Sequence, residues 1–135
     1  MELPRRSSDP LKRALALLGP LERRIMHAAW SQAVSEPFVV HDVQAHMSEL
    51  AYTTVMSTMN RLEEKGVLTS RHEKGVRAHR YWVAMDPAEF LDQAGRRQVR
   101  DVVERFGEVA LAAFEAHLQG LKPEERERLR KLGRR

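Results

Sequence analysis

The period of the apolar residues changes abruptly within residues 51–83, AYTTVMSTMNRLEEKGVLTSRHEKGVRAHRYWV. Val55, Met59 and Leu62 recur at helical spacing, and Gly66 then ends the helical pattern. The next segments, VLTSRH and AHRYWV, predict two strands, because a short glycine-containing turn separates them and the Tyr-Trp-Val cluster favours a strand. A helix that leads directly into a β-hairpin leaves few folds open to the chain.

Two further helices are predicted before this segment. The first begins at Pro20, directly after Gly19, and its apolar face continues to Trp30. The second lies a few residues before the third, as in a helix-turn-helix, and its apolar positions are Val40, Val43, Met47 and Leu50. Three helices followed by a hairpin predict a mainly α fold with a small β-hairpin, the winged helix-turn-helix.

The pattern of breakers divides the chain into three segments. Residues 1–18 contain Pro10 and excess positive charge, so we expect a flexible basic N-terminal arm there. Residues 19–85 are expected to form the winged-helix domain, and residues 86–135 a helical dimerisation region.

The third segment predicts a helix that runs from Pro87 to Gly120, and we expect Gly95 and Gly107 to weaken it. Its apolar residues are more numerous than one isolated helical hairpin can hide, which implies a partner surface. We expect the dimer contact to include Val99, Val102, Val103, Phe106, Ala110, Phe114 and Leu118.

The composition excludes several classes of function. The chain has no cysteine, so disulfides and thiolate metal sites are excluded. No apolar run approaches the roughly 20 residues that cross a bilayer, and the N-terminal sequence has no signal-peptide core, so we expect a cytoplasmic protein without membrane association. The six histidines lack the spacing of a helical metal clamp, and the acidic pairs Glu63-Glu64 and Glu124-Glu125 are expected on solvated faces. We therefore expect that the protein is not an enzyme and that it binds neither a metal nor a cofactor.

Charge and polar residues in residues 51–83 predict contact with double-stranded DNA. The chain has a net charge of +4, and this stretch alone holds six Lys or Arg against three Asp or Glu. On the third helix, the face opposite the apolar stripe holds Thr53, Ser57, Asn60 and Arg61, with Thr54 and Thr58 beside it. Short hydroxyls and an Arg can bond phosphates or base edges. Four cations lie around the hairpin turn, Arg71, Lys74, Arg77 and Arg80. Clustered cations favour phosphates through counterion release. The predicted contacts are Thr53, Thr54, Ser57, Thr58, Arg61, Lys74, Arg77 and Arg80. His72 and His79 are placed to pair across the hairpin.

The motifs AYTTVMSTMNRLEEKGVL and GVRAHRYWV closely resemble the signature of the penicillinase repressor family of winged-helix regulators, which includes BlaI, MecI and CopY. The segment LGPLERRIMHAAW resembles the first helix of that family, so the resemblance extends over residues 18–84. It implies a homodimeric transcriptional repressor that binds a dyad-symmetric operator. In that family the positions of Thr53, Thr54, Ser57 and Arg61 read or line the groove, and those of Arg77 and Arg80 lie in the wing.

Two release devices of that family are not matched by this sequence. The Asn-Phe pair at which antibiotic-responsive members are cleaved is absent, and His117 and Leu118 stand roughly at that point. The cysteine pairs of the copper-responsive members are also absent. The sequence therefore leaves two kinds of releasing signal as alternatives, an upstream sensor or a small-molecule inducer.

Two other functions are compatible with the same fold. One is a ligand-responsive winged-helix regulator, with a pocket lined by Met85, Phe90, Phe106 and Phe114. The other is a winged-helix protein-interaction module, whose DNA binding would be weak and independent of sequence.

Overall fold

Seven helices and one β-hairpin form the part of the chain that our computed structural model describes, residues 9–75 and 79–133. The elements are α1 (Pro10–Ala16), α2 (Pro20–Trp30), α3 (Val40–Gln44), α4 (Tyr52–Glu64), β1 (Leu68–Arg71), β2 (Arg80–Val83), α5 (Pro87–Phe106), α6 (Glu108–Gln119) and α7 (Pro123–Gly133). Residues Asp9–Leu91 make one compact unit, and a second contains Asp92–Arg135. Three helices, α2 to α4, lead into an antiparallel hairpin in the first unit, which confirms the predicted winged-helix fold class.

Helix α1 occupies part of the segment that was expected to be a flexible arm. Pro10 lies in the first turn, where a residue without an N–H group loses no helical hydrogen bond. The Asp9 carboxylate caps this turn by accepting from the Lys12 N–H at 3.3 Å. Ala14 and Leu18 are buried in the core of the first unit. The expectation of an arm is therefore wrong for residues 10–16, and residues 1–8 lie outside the described residues.

The inner face of α4 lies in the middle of this core. Val55, Met59 and Leu62 have at most 1% of their surface exposed and belong to one cluster with Ile25 and Met26 of α2. Each such side chain contributes about 1.5–3 kcal/mol when it leaves water. These residues therefore fix both the position of α4 and its rotation about its own axis.

Helix α3 is shorter than its apolar spacing predicted. It ends at Gln44, and the chain then turns so that Met47 is buried in the core without helical backbone. The Gln44 side-chain amide donates to the Leu50 carbonyl at 3.1 Å and closes the connection to α4. The core position of Met47 was predicted correctly, whereas its helical conformation was not.

The hairpin is joined to the core along its inner face. Its register pairs Leu68 with Val83 at one end and Arg71 with Arg80 at the other. Phe38 forms a bridge with Tyr81, with N–H to carbonyl distances of 3.1 and 2.8 Å, and the two rings stack at 6.2 Å. Strand β2 therefore has a backbone partner on each side, β1 on one and Phe38 on the other.

The second unit contains the remainder of α5, together with α6 and α7. Gly107, with a φ of +62°, ends the long helix that was predicted, whereas α5 passes Gly95 without interruption. Glu125 at the start of α7 is buried, and its carboxylate accepts from the Lys122 N–H at 3.0 Å, so the solvated face expected for this residue is wrong. Within the described residues, no helix is both long and apolar enough to span a membrane.

Glu22 of α2 is a carboxylate with only 7% of its surface exposed. Its Oε1 accepts from Lys65 Nζ and from the Gly19 N–H, both at 2.8 Å. Burial alone raises the pKa of Glu22, but these hydrogen bonds and the charges of Lys65 and Arg61 outweigh it, so the pKa lies below its ordinary value of 4.5. The contact joins the beginning of α2 to the end of α4.

The substitution Glu22→Gln is expected to lower the free energy of unfolding by about 1 kcal/mol at neutral pH, because the charged hydrogen bonds are lost. The pKa of Glu22 is lower in the folded protein, so the stabilisation is present above the ordinary pKa and is lost as pH falls through the folded pKa. Urea denaturation across this range should give stabilities for the two proteins that converge at acidic pH.

Glu49→Gln is the matched control, because Glu49 forms an exposed ion pair with Arg24. Its effect at neutral pH should be smaller than that of Glu22→Gln. A difference between wild type and Glu22→Gln that stays constant with pH would contradict the role assigned to the carboxylate.

Candidate nucleic-acid interface

The side of α4 opposite the core is accessible to solvent. Thr53, Ser57 and Arg61 are exposed, and Thr54 is half-buried. The Ser57 hydroxyl donates to the Thr53 carbonyl at 2.8 Å, and its oxygen keeps lone pairs that can accept. The Thr53 hydroxyl has no hydrogen-bond partner among the described residues. These four residues, all predicted DNA contacts, therefore lie where a ligand of α4 could reach them.

Thr58 does not lie on this surface. It is 0% exposed, its hydroxyl donates to the Thr54 carbonyl at 2.8 Å, and it accepts from the Arg61 guanidinium at 3.3 Å. The prediction that Thr58 contacts DNA is therefore wrong, because its position on the helix faces the core. Its hydroxyl instead orients the side chain of Arg61.

Two polar contacts hold α4 against the hairpin. The Tyr81 hydroxyl donates to Asn60 Oδ1 at 3.4 Å, and the Ser70 hydroxyl lies 2.9 and 2.8 Å from the two carboxylate oxygens of Glu63. Burial, and next the negative charge of Glu63, raises the pKa of Tyr81, which keeps its hydroxyl protonated as a donor. Glu63 is half-buried, so the solvated face expected for it is also wrong.

The outer face of the hairpin presents cations. Arg71 and Arg80 lie directly opposite each other across the two strands, so their side chains share one face. Glu73 is the acidic neighbour of Arg80, with a nitrogen to oxygen distance of 3.7 Å, and Lys74 is exposed at the turn. Arg77, a predicted DNA contact, lies outside the described residues. Arg71 was one of the cations noted around the turn but was left out of the list of predicted contacts, and the strand register places it directly opposite Arg80.

His72 and His79 lie next to these cations. Their rings stack with centroids 4.6 Å apart, which confirms the predicted pairing across the hairpin, and the His79 ring lies 6.5 Å from that of Tyr81. In residues 9–75 and 79–133, no group of three or more His, Asp or Glu side chains is arranged to hold a metal ion.

A cleft of about 680 Å³ lies in the first unit, between the end of α2 and the beginning of α5. Of the residues expected to line a ligand pocket, Met85 lines this cleft. Phe90 is buried in the core beside Trp30, with ring centroids 6.0 Å apart. Phe106 and Phe114 are exposed residues of the second unit.

The second unit exposes an apolar surface on α5 and α6. Val102 and Val103 are half-buried. Ala110 is buried within the chain, so, unlike the sequence prediction, it is not exposed to a partner. Val109 and Leu111 were not among the predicted dimer contacts but are exposed. The exposed large apolar side chains of the two helices are Val99, Phe106, Val109, Leu111, Phe114 and Leu118.

The family profile described as "Penicillinase repressor" matches residues 18–135 of the chain. The protein "Transcriptional regulator BlaI" of Mycobacterium tuberculosis, strain CDC 1551 / Oshkosh, is 41% identical over 70 residues, which are 50% of this chain and 48% of that protein. The chain therefore matches about half the length of this curated relative.

Two solved structures also align with the chain. A transcriptional regulator of the MarR family from Rhodococcus sp. RHA1 is 17% identical with a TM-score of 0.45, and the alignment covers 91% of this chain and 78% of that one. BpsR of Bordetella bronchiseptica is 18% identical with a TM-score of 0.46, and the alignment covers 93% of this chain and 90% of that chain.

The substitution Ser70→Ala is expected to lower the free energy of unfolding by about 1 kcal/mol or more, because the half-buried carboxylate of Glu63 loses its hydroxyl donor. Urea denaturation at neutral pH measures this change. Thr69→Ala is the control, since Thr69 is the exposed neighbour on the outer face, and its effect should stay within about 0.5 kcal/mol. Equal effects of the two substitutions would show that the contact between α4 and β1 contributes nothing.

Proposed function

The chain belongs to the penicillinase repressor family, and on that premise we propose that it is a sequence-specific DNA-binding transcriptional repressor. We further propose that it acts as a homodimer on a dyad-symmetric operator. The family consists of transcriptional regulators and not of enzymes. In this proposal the winged helix binds DNA and the helices that follow it form the dimer.

The observation that carries the proposal is the pair formed by Arg71 and Arg80 on the outer face of the hairpin. Like charges directly opposite each other destabilise an antiparallel pair. Glu73 is close to one of them only, at 3.7 Å from Arg80. A DNA phosphate would replace this repulsion by two attractions, and the release of counterions from the duplex would add to the binding free energy.

The outer face of α4 supplies the second half of the surface. A helix is about 10–12 Å across with its side chains, which fits a major groove of about 12 Å. Thr53 and Ser57 offer hydroxyls to base edges or phosphates, and Arg61 offers a planar donor. Because Glu63 bonds to Ser70, α4 and the hairpin are already fixed to each other before DNA binds.

The apolar surface of the second unit is the observation that favours a dimer. Val99, Val102 and Phe106 follow helical spacing along one side of α5. Large apolar side chains gathered in this way mark an interaction surface, and a two-fold protein suits a two-fold operator.

Selection from a pool of random duplexes in the presence of competitor DNA is expected to recover a dyad-symmetric sequence. With that duplex, Arg71→Ala and Arg80→Ala should each lower the slope of log affinity against log salt by about 1 per subunit, because one phosphate contact is lost. Glu73→Gln should tighten binding, since it removes the negative charge next to Arg80.

The control for these cations is Arg96→Ala, because Arg96 is an exposed Arg of the second unit that pairs with Asp92 at 3.0 Å. It should leave the salt slope unchanged. A slope that is equal for Arg71→Ala, Arg80→Ala and Arg96→Ala would contradict the proposed role of the hairpin. Recovery of no common sequence would contradict sequence-specific binding.

Sedimentation of the wild-type chain is expected to give twice the 15.6 kDa mass of one chain. Phe106→Glu should weaken the dimer at least about tenfold, because it places a charge in the apolar surface. Arg97→Glu, on the opposite side of α5, is the control and should leave the dimer intact. A dimer that tolerates both substitutions would exclude this surface as the contact.

A further inference from the structure

We propose that Tyr52 and Met56 form an apolar patch that recognises the 5-methyl groups of thymine in the operator. The inference rests on the proposed function, and it adds the kind of base that the first half of α4 reads. It assigns a direct role in specificity to two residues that were not among the predicted DNA contacts.

The starting observation is the distribution of exposed large apolar side chains in the first unit. In its described part, residues 9–75 and 79–91, these are Leu17 at 52%, Tyr52 at 37% and Met56 at 36% exposure. Two of the three therefore lie on α4, four residues apart, so they are neighbours on the surface of one helix. A single exposed apolar residue is ordinary, but two neighbours beside Thr53 and Ser57 make a continuous patch.

The patch has a fixed geometry and a sharp boundary. The Tyr52 ring packs against the ring of His41 from α3, with centroids 4.6 Å apart, which restrains its orientation. The last turns of α4 expose Asn60 and Arg61 instead, which are polar. The first half of α4 therefore presents an apolar strip, Tyr52 and Met56, beside the hydroxyls of Thr53 and Ser57, whereas the exposed residues of its second half are polar.

The chemistry of the major groove selects the occupant of such a patch. Each base edge there presents hydrogen-bond donors and acceptors, and the C5-methyl of thymine is the apolar group among them. A thymine methyl gains from contact with Met56, whereas a polar edge pressed against Met56 would lose its water without a new hydrogen bond. Because the patch is continuous with the hydroxyls of Thr53 and Ser57, DNA that contacts them also covers Met56.

The test uses the duplex recovered by selection, with each thymine replaced in turn by deoxyuridine, which removes only the methyl group. At one or two positions in each half-site, wild-type affinity should fall about fourfold, the effect of one buried methyl. Met56→Ala should bind the unmodified duplex more weakly and should lose its sensitivity to the replacement at one of these positions. Tyr52→Ala should do the same at a neighbouring position.

Leu17→Ala is the matched control, because Leu17 is an exposed large apolar residue of the first unit that lies outside α4. It should keep both the wild-type affinity and the wild-type ratio for every replacement. A wild-type protein that binds the selected duplex but ignores deoxyuridine at all positions would overturn the inference and leave the proposed function standing. The same holds if Met56→Ala and Tyr52→Ala keep the wild-type ratios. Failure to recover any specific duplex would overturn both.

Discussion

The burial of one face of α4 is the constraint on which the rest of the winged helix depends. Val55, Met59 and Leu62 are almost completely enclosed, so α4 cannot rotate without exposing them. The opposite face of α4 must then lie in solvent, and its exposure does not depend on which residues occupy it. The exposed polar and apolar residues of α4 are thus held in a defined direction by packing behind them.

Polar contacts at the edges of α4 complete this placement and couple stability to the proposed function. Glu22 holds Lys65 at the end of the helix, and Glu63 binds Ser70 in the hairpin. Thr58 orients Arg61 from inside. In the proposed function, a DNA-binding surface made in this way is ordered before it meets its ligand, so little binding free energy is lost in arranging it. The repulsion of the two hairpin guanidinium groups is tolerated because the hairpin is fixed by Phe38 and Tyr81 on its inner face.

The sequence predicted correctly the helices and strands that have strong apolar periodicity. The predictions were wrong or incomplete where a polar side chain occupies a core position of a helix, and where residues distant in the chain meet. The spacing of Thr58 indicates the core, but its hydroxyl suggested water; the hydroxyl is satisfied by the carbonyl of Thr54. Gly107 ends a helix and Gly95 does not, which depends on the backbone angle each adopts. The opposition of Arg71 and Arg80 follows from strand register, which residue types alone do not define.

The most direct test of the central claim, that α4 and the hairpin form one DNA surface, is amide chemical-shift mapping of the full chain during titration with the selected duplex. Our account predicts that the shifts of residues 51–61 on α4 and of residues 69–74 and 79–82 on the hairpin change together, at the same ratio of duplex to protein. Changes that are confined to residues 108–133, or that affect α4 and leave the hairpin unaltered, would contradict it.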